Sequence, residues 1–210
     1  VGSEMCIRDR CKMGKSPILA VDADANSNLN EVLGVEVDMT LGDIREEVAQ
    51  AENSLKNPIP ASMSKADYME IMFQRCLIED DDFDLLVMGR TQGKGCYCFV
   101  NGLLQSQLQK LIPNYKYMLV DNEAGMEHIS RGVLPKVDTI ILVSDCSRRG
   151  VQAAGRIAEL TRECNMNPKT IGLIVNRAPE GKLNQGTMEE IEKQGLTLLG
   201  VVPHDDQVYE

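Results

Sequence analysis

Tryptophan is absent, and five tyrosines with three phenylalanines are the whole aromatic complement of 210 residues. So few rings leave little for the bases of a single strand to stack on. Positive charge is scarce as well: 22 Lys and Arg stand against 32 Asp and Glu, a formal net charge of −10. Such a surface repels a phosphate backbone over most of its area, so no nucleic-acid partner is expected. No apolar run approaches the roughly 18 residues that a membrane span needs. The visible C-terminus is acidic, where a basic amphipathic tail would be needed to hold a lipid surface, so no membrane partner is expected either. Histidine occurs only at His128 and His204, and neither is assigned a catalytic role. There is no fixed-period repeat and no secretory apolar region. Seven cysteines, an odd number scattered through regular segments, indicate a reducing, cytoplasmic setting with free or metal-bound thiols rather than a disulfide framework.

The composition is otherwise an ordinary globular balance, 43% apolar and 26% charged. Short aliphatic runs alternate with longer stretches of helical period. Strands are expected at 18–22, 84–88, 117–121, 139–144, 170–176 and 198–202, most of them continuously apolar as in strands buried on both faces. Helices are expected at 41–51, 65–79, 102–111, 127–134, 149–164 and 187–194. The fifth is clearest, with Val151, Ala154, Ile157, Leu160 and Cys164 at three- or four-residue spacing. The alternation implies an α/β fold, a doubly wound and mostly parallel sheet with helices on both faces. The first ten residues, VGSEMCIRDR, show no period and resemble translated adapter read-through. Residues 1–11 are therefore read as a non-native leader, with a frayed but real N-terminus as the alternative, and 12–210 as one nucleotide-binding domain cut at its N-terminus, with the C-terminus open to the same reading.

In such sheets ligands bind beyond the carboxyl ends of the strands, so the residues just past each strand carry the chemistry. After the first comes Asp22-Ala23-Asp24-Ala25-Asn26-Ser27, a carboxylate pair able to orient a metal-bound water toward a phosphate. Asp24 and Ser27 serve equally well simply to start the next helix. After the third comes Leu119-Val120-Asp121-Asn122-Glu123-Ala124-Gly125, apolar residues ending in an aspartate that can reach nucleotide-bound Mg2+. After the fifth stands Asn176, whose amide suits a purine edge or a structural turn; after the last stands Pro203-His204-Asp205. The loop after the second strand holds Gly93-Lys94-Gly95-Cys96-Tyr97-Cys98. Two thiolates at Cys96 and Cys98 would half fill a four-coordinate site that a second copy across a two-fold axis would complete, or the two are a pair of free thiols or an adventitious redox pair. Gly14-Lys15-Ser16 is not a phosphate loop, because Asp9 stands where the earlier glycine is required and Pro17 with a strand comes next. The acidic run 79–82 with Asp84 precedes a strand and reads as a solvated turn.

The segments VDADANSNLNEVLG, GKGCYCFVN, LVDNEAG, LVSDCSRRG, LIVNRAP and GVVPHDD, in that order, resemble the MinD/ParA/nitrogenase-iron-protein class of P-loop ATPases. Within it the chain is similar, from about Lys12 onward, to the accessory ATPases that insert nickel into carbon monoxide dehydrogenase. The Cys-x-Cys loop and the SRRG segment are the specific marks. The resemblance implies ATP/ADP and Mg2+ as ligands, with Asp24 as the aspartate that positions the attacking water and Asp121 as the one near Mg2+. It implies that Asn176, Pro203 and Asp205 lie on the adenine side. It also implies a homodimer that holds Ni2+ or Zn2+ between paired Cys96 and Cys98, with carbon monoxide dehydrogenase as client.

The departure is that the strand and K-G-G-x-G-K-T loop which open that family's domain are not in the sequence, and neither Lys12 nor Lys15 replaces their lysines. This polypeptide is therefore expected to bind ATP poorly, to hydrolyse none, and to expose apolar strand edges that make it poorly stable. Three other readings stand beside this one. A 4Fe–4S electron donor would need a second cysteine where Ala124 stands. The others are a partition or positioning ATPase and a degenerate, non-catalytic interaction protein.

Overall fold

A continuously apolar strand needs cover on both faces, and β1 (Ile18–Ala23) has it, with all six residues buried. The computed structural model describes residues 2–53, 59–90, 98–125 and 136–209. They form two compact units, Val1–Ala124 and Gly125–Glu210.

In the first unit β1 pairs in parallel with β3 (Phe83–Val87) and with β4 (Tyr117–Asn122). A short β2 (Leu77–Glu79) adds antiparallel to β3, for the order β2-β3-β1-β4. On one face Ala20, Leu85 and Val87 pack with Ile7 of α1 (Ser3–Lys12) and with Leu29 and Leu33 of α2 (Leu29–Leu33). Ile44 of α3 (Leu41–Asn53), Phe73 of α4 (Lys65–Cys76), and Leu104 and Leu108 of α5 (Cys98–Leu111) are buried as well. α4 opens on a reciprocal cap: the Ser64 hydroxyl accepts the Asp67 N–H at 3.1 Å, and the Asp67 carboxylate accepts the Ser64 N–H at 3.3 Å. Glu70 of α4 accepts from both Gln107 and Lys110 of α5, and those bonds, the Lys110 one foremost, hold its carboxyl below the usual glutamate range.

Three local outcomes differ from the sequence reading. The helix expected over 65–79 ends at Cys76, because Leu77 and Ile78 pair with Leu86 and Leu85 in a hairpin. Asp80, Asp81 and Asp82 form its exposed turn, the solvated role expected of them. The first ten residues lack a period, yet Ser3–Lys12 is helical. One side chain seats it: Ile7 is fully buried, while Glu4 in the first turn and Arg10 and Lys12 in the last match the helix dipole. This helix runs opposite to β4, from Ser3 beside Asp121 to Arg10 over the Tyr117 ring. The third is α2, five residues long and too short to show a period.

The second unit is a parallel sheet in the order β5-β6-β7, with β5 (Thr139–Asp145), β6 (Thr170–Ala178) and β7 (Thr197–Pro203). Its core joins Leu142, Leu173 and Val175 to Val151, Ala154 and Ala158 of α6 (Arg148–Glu163) and Ile191 of α7 (Gln185–Lys193). Among the alternating residues, Ile141 and Val143 of β5 are each 47% exposed and Leu199 of β7 is 51% exposed. The helix expected at 127–134 lies outside the described residues. Among those described, no helix is long and apolar enough to cross a membrane.

The two sides of the second sheet differ in how much they bury, which gives a direct test. Leu173→Ala, at a fully buried site, is expected to cost about 2–5 kcal/mol. Leu199→Ala, half exposed, is expected to cost under about 1 kcal/mol. Urea midpoints followed by circular dichroism measure both, and equal losses would show that the Leu199 side is covered in solution.

Candidate functional site

The register of the first sheet places Asp22 beside Asp121, and Ala23 beside Asn122, at the carboxyl ends of adjacent parallel strands. Asp24 comes directly after, so the two aspartates singled out by sequence share one sheet edge. Asp22 is buried, at 1% exposure, and both its oxygens are used. One accepts the Asp24 N–H and the other the Leu29 N–H, each at 3.0 Å. Burial pushes its carboxyl above the ordinary aspartate range; the two N–H bonds oppose that, and the charges of Asp121 and Asp24 add to it. The role of starting α2 thus falls to Asp22, not to Asp24 or Ser27.

Asp24 is half-buried, and one of its oxygens accepts the Asn26 N–H at 2.8 Å and the Asn26 Nδ2–H at 3.1 Å. Asn26 Oδ1 accepts in turn from the guanidinium of Arg90, which lies just past β3. Asp121 is half-buried and accepts the Ser3 hydroxyl at 2.8 Å. Sequence reading missed Arg90 and the structural weight of Asp22. The signal for Arg90 was a lone cation just past the end of a buried strand.

Cys96 lies outside the described residues. Cys98 opens α5, on the crossover from β3 to β4, and its side chain lies outside them too. Among the described residues no group of three or more His, Cys, Asp or Glu could hold a metal ion. The donor set does fit a hydrated Mg2+, which takes one or two carboxylates and draws its other ligands from water and phosphate. Asp24 and Asp121 supply such carboxylates; the phosphate-binding lysines are not in this sequence.

In the second unit Asn176 is level with Asp145 across β6 and β5, and Ala178 is level with Pro203 across β6 and β7. Asn176, Pro203 and Asp205 therefore gather at the carboxyl edge of that sheet. The Asn176 side-chain oxygen accepts the Arg177 N–H at 2.9 Å, which leaves its Nδ2 to donate to an acceptor on a purine ring. The His204 N–H donates to Ala178 O at 2.9 Å, and the Asp205 carboxylate accepts the Gln207 N–H at 3.0 Å. These bonds fold the segment after β7 back over its own edge.

The Ser147-Arg148-Arg149-Gly150 segment has a structural account. Ser147 caps α6 by accepting the Gly150 N–H at 3.0 Å, and Asp145 accepts both the Ser147 hydroxyl (2.6 Å) and its N–H (2.9 Å). Those bonds hold the Asp145 carboxyl below the usual aspartate range. A side chain on Gly150 would run into Asp145, and Arg148 ties the start of α6 to Gly186 O at 3.1 Å.

Polar side chains at the carboxyl ends of parallel strands, found in each unit by itself, are what ligand-binding α/β sheets present, and comparison with known proteins agrees. Residues 12–210 match the model of the CobQ/CobB/MinD/ParA nucleotide binding domain, and the chain belongs to that family. It is 42% identical over 195 residues to an uncharacterized ATP-binding protein of Methanocaldococcus jannaschii, covering 92% of this chain and 75% of the relative. It is 28% identical over 207 residues to the carbon monoxide dehydrogenase accessory protein CooC of Rhodospirillum rubrum, covering 91% and 74%. In fold it is similar to the septum site-determining protein MinD complexed with Mg-ADP from Pyrococcus horikoshii. That likeness has a TM-score of 0.64 at 18% identity and covers 99% of this chain and 76% of that one. The α/β architecture and membership of a MinD/ParA-type ATPase family are thereby established.

The Ser147 cap carries a pH-dependent expectation. Asp145 has a folded pKa below its unfolded one, so its stabilisation is present above the ordinary aspartate value of about 3.9 and is lost as pH falls through the folded value. Ser147→Ala should cost about 1 kcal/mol near neutrality. It should also narrow the stability difference between neutral and acid solution, because part of the shift goes with the hydroxyl. Urea midpoints on both sides of about pH 4 check this; an unchanged acid difference would assign the shift elsewhere.

Proposed function

We propose that this chain is the nucleotide-binding part of a metal-handling ATPase, one that assists nickel insertion into carbon monoxide dehydrogenase. The observation that carries the proposal is where the helix that begins at Cys98 falls in the fold. Cys98 opens the crossover helix beyond the carboxyl end of β3, between strands whose neighbour β1 delivers Asp24 and whose partner β4 delivers Asp121. The Cys-x-Cys thus lies, in sequence, on the crossover that joins β3 and β4. The similarity to the accessory protein CooC supports the same reading.

In this proposal Cys96 and Cys98 bind Ni2+ or Zn2+ as thiolates, and the same pair from a second copy completes a four-sulfur site in a homodimer. Asp24 orients the attacking water, Asp121 faces the Mg2+ that travels with the nucleotide, and Asn176, Pro203 and Asp205 line the adenine side. The polypeptide of 210 residues holds no G-x-x-x-x-G-K-[ST] sequence, so by itself it is proposed to be hydrolytically inactive.

Titration with Ni2+ and with Zn2+, read by the thiolate–metal absorption and by light scattering, tests it. The expected result is one metal per two chains and a dimer that forms with loading, both lost in Cys96→Ser/Cys98→Ser. Unchanged metal uptake by that variant would remove the Cys-x-Cys from the function. Co-sedimentation with anionic vesicles or with DNA tests the positioning-ATPase reading, which the MinD-like fold favours and the net charge of −10 opposes. No pelleting is expected.

A further inference from the structure

The end of β6 keeps a regular partner on one side only. Val175 is level with Val201 of β7 and Ala178 with Pro203, so Asn176 and Arg177 together stand against the single residue Val202. Such a bulge takes side chains out of the regular ladder and re-aims them. On the other side the pairing is unbroken, and Asn176 is level with Asp145 of β5. Level residues of adjacent strands lie roughly 4.8 Å apart and share a face of the sheet, so the amide and the carboxylate leave the backbone side by side.

Hydrogen bonds within the protein fix what each group has left to offer. Asn176 Oδ1 accepts the Arg177 N–H at 2.9 Å, which settles the orientation of the amide and leaves Nδ2 as a donor. Asp145 is exposed, and Ser147 places both its hydroxyl (2.6 Å) and its N–H (2.9 Å) on one oxygen, Oδ1. With respect to the described residues, Oδ2 is left to accept from a ligand. The Ser147 bonds foremost, with the charge of Arg177 adding to them, favour the ionised, acceptor-only form of this carboxyl.

A donor beside an acceptor distinguishes the two purines. N7 accepts in adenine and in guanine alike, whereas the group next to it is a donating amine in adenine and a carbonyl oxygen in guanine. With Asn176 Nδ2 on N7, a neighbouring carboxylate gains a hydrogen bond from the amine but sets one acceptor against another at the carbonyl.

We propose that Asp145 selects adenine over guanine at this edge, its outward oxygen accepting from the exocyclic amine while Asn176 donates to N7. This rests on the reading of Asn176 as facing the base. A carboxylate that served only to cap α6 would be indifferent to which purine is offered.

The phosphate-binding lysines are not in this sequence, so nucleosides read the base contacts by themselves. The 15N-labelled full chain is titrated with adenosine, inosine and 7-deazaadenosine. The Asn176 side-chain amide signals report binding, and the Asn26 amide in the first unit serves as control. Inosine carries the carbonyl of guanine without its 2-amino group, so it isolates the change from amine to carbonyl. The expected result is a dissociation constant about ten-fold lower for adenosine than for inosine, with 7-deazaadenosine weakened by loss of N7. Asp145→Asn keeps an oxygen for Ser147 and puts an NH2 group in place of Oδ2, so it should bring inosine level with adenosine or ahead of it. Ser147→Ala, which loosens the cap but keeps the carboxylate, should retain the adenosine preference. Equal binding of adenosine and inosine by the unsubstituted chain overturns the selection, whether or not the variants fold. An adenosine preference that survives in Asp145→Asn overturns the role of Asp145. Asn176 signals that no nucleoside moves overturn the reading of this edge as the adenine side, and the selection with it.

Discussion

A carboxyl group buried at the end of the central strand sets the terms for the first unit. Asp22 is shut off from water, so each of its oxygens must find a donor inside the protein. Both donors are backbone N–H groups of the loop after β1, at Asp24 and Leu29. Meeting them forces the chain to double back over the end of β1. That return starts α2 at Leu29 and drives Leu29 and Leu33 onto Ala20, Leu85 and Val87. It also leaves Asp24 at the turn, half-buried, just beyond the strand end. Remove the buried group and the loop has no reason to keep this path; the more exposed carboxylate depends on the hidden one.

The burial of strands and their ends also explains how much could be read from sequence. β1, β3 and β4 are continuous apolar runs, and strands buried on both faces announce themselves that way. Asp24 and Asp121 were legible because parallel strands bring their carboxyl ends to one edge, so position in the strand predicts position in space. Asn176 and Pro203 obey the same rule in the second sheet, where the register through Asp145 and Ala178 gathers them. The elements that escaped did so for physical causes. Leu77 and Ile78 continue the apolar period of α4, and only pairing with β3, a non-local event, turns them into strand. α1 has one buried apolar residue, too little for a period but enough for a seat. Arg90 shows in sequence only as a cation just past a buried strand, because its partner Asn26 lies 64 positions away.

The second unit organises its edge with the opposite electrostatics. Asp145 is exposed, and donors from Ser147 stabilise its charge, whereas burial of Asp22 opposes ionisation. One aspartate serves a helix cap that must stay polar; the other is an internal scaffold. Arg148, Gly150 and Ser147 then have a common purpose in this unit, which is to lock the start of α6 onto Asp145 and α7. A motif that reads as a family mark is thus also a local structural device, and its presence alone does not argue for chemistry at Arg149.

A structural device and a chemical one must be separated in the first unit as well. Carboxylates at strand ends suit any nucleotide-handling α/β sheet, so Asp24 and Asp121 support nucleotide handling without selecting a cargo. Selection must come from residues added to that edge. In sequence, the chain after β3 carries Cys96 and Cys98, following a stretch in which Met88 bonds to Asp22 and Gly42 and Gly89 lies against Thr40. The sheet edge therefore accounts for nucleotide handling as a class, and selectivity has to be sought in the residues that follow its strands.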